Sequence, residues 1–495
     1  MLPGMTLNTR PLNARAIAEA VRSGRRSALE VIEGALSRAE EVQADLNAFI
    51  TIAHEAARAR AAALDARHLA GEELGPLAGV PVVTKDNIST QGIRSTAGSH
   101  SLEGFVPPYS ATVVERLERA GAVVIAKANC DEFGMGGSNE NSAFGPARNP
   151  WDWSRVPGGS SGGSAVAVAA GVAPVALGTD TGGSVRQPAA FTGVIGFKPT
   201  YGLLSRYGVI AFASSLDQVG VLCRSAEDLA LVMDVMVGHD PRDATSLEQV
   251  PNFGGAVMGS SDLRGVRIGV IRELAGGGNS EGVLATLEGV AEALRGLGAT
   301  VGEASVPHAR YGIPCYYLVA TAEASSNLAR YDGMTYSTRV GENALGQVEV
   351  MRRSRAAGFG PEVRRRVLMG TYALSAGYYD AYYGKALRVR RLIADDFERA
   401  FEEFDLLMTP TAPSVAFGLG ERVGDPLAMY LGDVDTCLAN LVGIGAVSVP
   451  AGSAEEGLPC GVQFLAPALR DERLAVVTAL LERRAGEAFA PLAPR

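Results

Sequence analysis

Residues 157–186 read PGGSSGGSAVAVAAGVAPVALGTDTGGSVR, two glycine-serine loops flanking a run of small apolar residues. Ser160 and Ser161 lie in GGSSGG, and Ser184 lies in TDTGGS. Glycine lets backbone amides approach a ligand closely and adopts conformations closed to other residues. A serine framed by such amides is a candidate nucleophile. A flexible linker shares this composition, but Ala165–Leu177 is apolar enough to be buried. The 23 uncharged residues from Pro157 to Thr179 reach membrane-span length. The GGSSGGS run and Pro174 argue instead for loop, buried helix and strand.

The surrounding chain limits what these loops can do. Its 495 residues, 47% hydrophobic, suit a globular protein with a sizeable core. A net charge of -9 argues against a chain that grips nucleic acid by itself. Five scattered cysteines without a CxxC pair, and five scattered histidines without HxxxH or HExxH, imply neither a metal site nor a disulfide framework. The first residues, MLPGMTLNTRPLNARA, lack the apolar core of a secretory signal, so a cytoplasmic protein without a membrane anchor is expected. Only four of the 45 basic residues are lysines (Lys85, Lys127, Lys198, Lys385). Where arginine supplies nearly all the positive charge, a lysine is expected to serve lysine chemistry, a compact amine whose pKa burial can lower.

Working outward, Ser27-Ala28-Leu29-Glu30 is a capping-box pattern opening a helix, Asn47–Ile52 reads as a strand and Glu55–Leu69 as a helix. LAGVPVV (77–83) is an apolar strand with Lys85 just beyond it. Thr112–Ala120 reads as helix and Ala122–Ala126 as a buried strand ending at Lys127. That strand-helix-strand unit implies a parallel pair and the α/β class. Ligands in such sheets bind beyond the carboxyl ends of strands, which places Lys85, Lys127 and the loop Asp131–Asn141 near a site. Further strands are expected at Val194–Lys198, Val209–Phe212, Val266–Val270, Thr300–Val306, Leu406–Met408, Val447–Val449 and Gly461–Phe464. Helices are expected at Ala226–Val237, Val283–Leu297, over most of Ile313–Phe404, and at Leu474–Arg483. No linker divides the chain, so one large domain is expected: a helical arm over 1–76, a core over 77–222 and the remainder over 223–495.

Three chemistries compete for the serine loops. A phosphate cradle would need GxxxxGK[ST] or GxGxxG in its dinucleotide context, and neither is present. A nucleophile elbow fits GxSxG at Ser160 or Ser161 but needs a strand directly before it, where Pro150 and Pro157 stand. The third is a Ser-Ser-Lys arrangement. Here the chain resembles the amidase signature family, closely over Leu77–Leu222 and more loosely toward the C-terminus. The match rests on GGSSGGSAVAVAAG followed by GTDTGGSVRQPA, with serines 24 positions apart (184 minus 160), and on VVTKDN, whose lysine precedes Ser160 by 75 positions (160 minus 85).

The resemblance implies a mixed central β-sheet covered by helices on both faces. It implies Ser184 as nucleophile forming an acyl-enzyme, Lys85 as a neutral general base, and Ser160, carrying a cis peptide, as the proton relay. The amides of Thr181, Gly182, Gly183 and Ser184 would form the oxyanion hole, with Ser161 in support. Within the family, MGGSNENSAFGPARNPWD, FKPTYGLLSRYGVIAFASSLDQVG, EASSNLARYDG and GTYALSAGYYDAYY are similar to the glutamine-hydrolysing A subunits of aspartyl/glutamyl-tRNA(Asn/Gln) amidotransferases. That likeness implies subunits B and C as partners, a mischarged tRNA held mainly by a partner, and ATP and Mg used there, with no cofactor in this chain. It also implies Asp433 for the glutamine amino group and Arg365 or Arg366, within the Arg364–Arg366 cluster, for its carboxylate. Tyr316 or Tyr317 would line the pocket, with backbone contacts from Met135 and Gly136. A free-standing amidase and a catalytically silent scaffold are the competing readings. Val250–Gly265 is longer than the family pattern, RELAGGGNSEG is less typical of it, and Cys130 stands where methionine is expected.

Overall fold

The computed structural model describes residues 13–341 and 346–485; MLPGMTLNTRPL, read above as lacking a secretory core, lies outside them. The strands are β1 (Phe49–Ile52), β2 (Pro81–Lys85), β3 (Val123–Ala128), β4 (Val175–Asp180), β5 (Ile195–Lys198) and β6 (Gln218–Cys223), then β7 (Arg267–Ile271), β8 (Thr300–Ala304), β9 (Leu406–Pro410), β10 (Ala446–Ser453) and β11 (Pro459–Leu465). They form one sheet in the order β1-β3-β2-β4-β6-β5-β10-β11-β9-β7-β8. β2 runs parallel to β3 and β4, and β7 parallel to β8 and β9, while the other pairs are antiparallel. This is the expected α/β class with a mixed central sheet.

Alternation along the strands shows that both faces are covered. Successive strand side chains point to opposite faces. Leu406 and Met408 of β9 join one buried cluster and Leu407 joins the other; on β11, Val462 and Phe464 part from Leu465 in the same way. The first cluster takes in helices Ala28–Leu46, Ala226–Met236, Glu281–Gly296 and Glu472–Ala485. The second takes in Gly312–Asn327, Pro361–Ala373, Tyr383–Glu403 and Cys437–Val442. The serine half of the capping box is realised, Ser27 accepting from the Glu30 amide at 3.0 Å, while the Glu30 carboxylate pairs with Arg26.

Two expectations are corrected. Val209–Phe212 is not a strand. It makes a single bridge from Val209 to Ile88, and the Ile210 amide donates to the Asn87 carbonyl, so the segment is a loop clamped onto the chain just after Lys85. The strand in this region is β6, which pairs antiparallel with β4 on one side and β5 on the other. The strand expected at 77–83 begins at Pro81, after a turn at Gly79 (φ +71), and runs through Lys85. Lys85 is therefore fixed by sheet pairing rather than carried on the following loop. The uncharged run from Pro157 divides into loop, helix Gly162–Ala169 and β4, as expected. No helix among the described residues is long and apolar enough to cross a membrane.

Helices Gly312–Asn327 and Pro361–Ala373 pack so closely that a Cβ at Gly370 would collide with the Thr321 carbonyl. Gly370→Ala is expected to force these helices apart at a cost of about 1–3 kcal/mol, the usual range for overpacking. A thermal melt should show a lowered midpoint, and an unchanged one would contradict this packing.

Candidate active site

Lys85 closes β2, the third strand of the sheet, between β3 and β4, and is fully buried. Its Nζ lies 2.6 Å from Ser160 Oγ, 3.0 Å from Ser161 Oγ, 3.0 Å from Thr179 Oγ1 and 3.3 Å from the Thr179 carbonyl. All four are neutral oxygens. Burial disfavours the charged amine and lowers its pKa to about 8, opposed by the more distant Cys130, Asp131, Asp180 and Asp217. Burial likewise raises Asp131 and Asp217 to about 6 and the Cys130 thiol to about 12, so near neutral pH the thiol is uncharged and only the carboxylates oppose the loss of the lysine's proton.

The two serine loops are joined through their backbones, the Ser161 amide donating to the Ser184 carbonyl at 3.0 Å. The Gly159–Ser160 peptide is cis. Ser161 Oγ also donates to the Thr179 carbonyl (3.2 Å) and accepts from the Thr179 amide (3.3 Å), so it braces the end of β4 against Lys85. Ser184 retains 9% exposure. A Cβ at Gly182 would enter the Tyr316 ring, and one at Gly183, where φ is +137, would strike Thr436. Only glycine fits either position. Thr436 Oγ1 donates to the Gly182 carbonyl at 2.7 Å.

A buried ionic network holds the loop. The Asp180 carboxylate accepts from the Gly183 amide (3.0 Å), the Val185 amide (3.1 Å), Arg186 Nε (3.0 Å) and Nη2 (2.8 Å), and Asn440 Nδ2 (2.9 Å). Arg186, fully buried, also donates to the Thr436 carbonyl, Asn440 Oδ1 and Gln463 Oε1. Burial works against the Asp180 charge, but Arg186 outweighs it and holds the carboxyl well below its ordinary range. One oxyanion-hole expectation is thereby altered, because the Gly183 amide is committed to Asp180. The Thr181, Gly182 and Ser184 amides make no hydrogen bond among the described residues.

The residues expected to bind glutamine differ in burial. Arg366 is buried, its guanidinium over the rings of Tyr317 (5.2 Å), Tyr430 (5.4 Å) and Phe212 (5.6 Å), with Nε donating to Glu362 at 2.7 Å. Arg365 pairs with the same Glu362 but leaves its side chain 42% exposed, and Arg364 is on the surface. Both tyrosines are buried. Tyr316 packs on Gly182, while the Tyr317 hydroxyl donates to Asp433 Oδ2 at 3.0 Å and its ring stacks on Tyr430. Burial raises Asp433 to about 7. Met135 is fully buried and Gly136 packs against Asp131, while Gly137 reaches the pocket, its side-chain direction facing Asp433 and Gln187. A cavity of about 370 Å³ lined by Gly136, Arg365, Arg366 and Tyr430 opens alongside. Lys127 is not part of this cluster. It is buried beside the neighbouring loop, on the Ile88 carbonyl, Thr90 and Ser95.

The site as read from sequence omitted Thr179, Asp180, Arg186, Asn440 and Gln463. Thr179, Asp180 and Arg186 stand inside the quoted GTDTGGSVR, yet their partners lie up to 277 residues away. Removing Asp180 would leave a buried guanidinium unpaired, a loss of about 3–5 kcal/mol. Asp180→Ala and Arg186→Met should each lower the denaturation midpoint strongly, with the double variant far less damaged than the sum. Additive losses would contradict the network.

A profile of the Amidase family matches residues 30–475. The chain is 58% identical over 472 residues, 95% of its length and 96% of the relative's, to the A subunit of Glutamyl-tRNA(Gln) amidotransferase from Deinococcus radiodurans. It is 55% identical to the subunit of that name from Acidothermus cellulolyticus, covering 92% of this chain and 91% of that one. Among solved structures, the Glutamyl-tRNA(Gln) amidotransferase A subunit of Thermotoga maritima superposes with a TM-score of 0.81 at 38% identity, covering 99% of each chain. With a lysine and two serine loops meeting as described, and likeness over nearly the whole length, the chain belongs to the amidase signature family.

Proposed function

We propose that this chain is the glutamine-hydrolysing A subunit of a tRNA-dependent amidotransferase, supplying ammonia to convert Glu-tRNA(Gln), Asp-tRNA(Asn) or both. Its partners would be subunits B and C, with the mischarged tRNA, ATP and Mg handled outside this chain. The observation that carries the substrate class is the pairing of Asp433 and Arg366 across a single tyrosine. The Tyr317 hydroxyl holds Asp433, and its ring lies beneath Arg366. Glutamine carries an ammonium and a carboxylate, and this pocket offers one group of each opposite charge.

The contact of Lys85 Nζ with Ser160 Oγ at 2.6 Å supports the following reaction. Neutral Lys85 takes the Ser160 proton, Ser160 takes the Ser184 proton, and Ser184 Oγ attacks the side-chain carbonyl of glutamine. The Thr181, Gly182 and Ser184 amides receive the developing oxyanion, charge stabilisation supplied without reorganisation. Collapse breaks the C–N bond, the proton returns through Ser160 to the leaving nitrogen, and ammonia departs. Water then attacks the acyl carbonyl as its proton passes through Ser160 to Lys85; collapse breaks the ester C–O bond, that proton returns through Ser160 to Ser184 Oγ, and glutamate leaves.

Glutamine hydrolysis should be measured with and without co-expressed candidate B and C subunits. Ser184→Ala is expected to lose at least about 10⁴-fold in kcat. Asp433→Asn and Arg366→Met should raise KM about tenfold or more, the cost of a lost charge-assisted hydrogen bond. Unchanged glutamine kinetics in both, with faster turnover of a neutral amide, would favour a free-standing amidase. The pH dependence has a fixed sign. Asp433 must be ionised to hold the ammonium, so KM should rise as pH falls through about 7. Lys85 must be neutral, so kcat should fall as pH drops through about 8. A flat profile from pH 6 to 9 would overturn the neutral-lysine mechanism.

A further inference from the structure

A neutral lysine amine has two hydrogens and one lone pair, and catalysis requires the lone pair to face Ser160. The other oxygens around Lys85 Nζ must then accept its hydrogens rather than donate their own. Ser161 meets this condition, because its hydrogen goes to the Thr179 carbonyl. Thr179 Oγ1 is different. It touches Lys85 Nζ at 3.0 Å and the Asn87 side-chain amide at 2.9 Å, with no third hydrogen-bond partner among the described residues. Its hydrogen can therefore go only to Asn87 or to the lone pair of Lys85. In the second case the base is blocked.

Asn87 is 2% exposed and follows Lys85 by two residues. Its Nδ2 faces Thr179, while its Oδ1 is buried without a hydrogen-bond partner among the described residues. The two ends of an amide have nearly the same shape, so a half-turn brings Oδ1 to Thr179 within the same space. The Asn87 backbone is held in place, its carbonyl accepting from the Ile210 amide. We propose that Asn87 is a positioning residue whose side-chain oxygen takes the Thr179 hydroxyl hydrogen, leaving the lone pair of Lys85 free for Ser160. No role for Asn87 was legible in VVTKDN, where it is one polar residue after two charged ones. The charged and titratable groups facing Lys85 are Cys130, Asp131, Asp180 and Asp217, with the buried Asp86 and Lys127 pair on the adjoining strand end. None of them touches Thr179 Oγ1.

The inference rests on the serine mechanism proposed above but not on glutamine, so its test uses a general acylation-type probe. Phenylmethanesulfonyl fluoride forms a serine O–S bond as its S–F bond breaks, fluoride leaving and the serine proton passing to the base. Labelling of the full chain is followed by intact mass from pH 6 to 10, with Ser184→Ala as the blank and a thermal melt for each variant. Asn87→Leu is expected to lower the plateau rate about tenfold to a hundredfold, within the usual contribution of a general base. In a Thr179→Val background, where no hydroxyl competes for the lone pair, Asn87→Leu should have little further effect. Asn87→Asp supplies an acceptor in either orientation and should keep the plateau, with the pH midpoint raised by about one unit by the added negative charge. Wild-type plateau and midpoint in Asn87→Leu, or the same fold loss with and without the Thr179 hydroxyl, would overturn the proposal. No labelling of the wild type would overturn the serine mechanism and this inference together.

Discussion

An ammonium group buried without a carboxylate in contact is costly, and the site depends on that cost at Lys85. The amine meets only hydroxyl and carbonyl oxygens. Its nearest acids are themselves buried, and two of them are raised toward neutrality. The sheet enforces the placement. Lys85 is the last residue of β2, which lies between β3 and β4, and its side chain is fully buried there.

Strong charge pairing is placed one step away, where it fixes shape. Asp180 and Arg186 are fully buried, pair with each other, and tie the Ser184 loop to Asn440 and Gln463. The same division recurs in the pocket. Glu362 anchors Arg366 and leaves the guanidinium among aromatic faces, while Asp433 is held by one phenol and retains its ability to titrate. Asp180, Arg186 and Arg366 each have a partner of opposite charge in contact, whereas Lys85 has only neutral oxygens around it.

How much of this could be read from the chain differs by feature. The apolar run leading into β4 and the glycine framing of Ser184 are local and were legible, while the role of Lys85, 75 positions before Ser160, came from the family resemblance. The shortage of lysine was informative about burial but not about chemistry, since Lys127 and Lys198 are also buried with lowered pKa values and serve to hold backbone carbonyls. Arg366 could have been separated from Arg365 by helical phase, because Val363, Arg366, Gly370 and Ala373 form one buried stripe. The Asp180 network could not have been read, because its partners are distant in sequence and a lone Asn or Gln carries no local signature. Val209–Phe212 misled because four apolar residues suit a strand or a packed loop equally well.

The central claim is that Lys85 loses its proton near neutral pH while folded. Only four lysines are present, so a spectrum of the chain labelled with carbon-13 at lysine Cε should be simple, and Lys85→Ala assigns the signal. The account predicts a Lys85 resonance that titrates with a midpoint near pH 8. A Lys85 signal that stays in the charged position through pH 10 would contradict it.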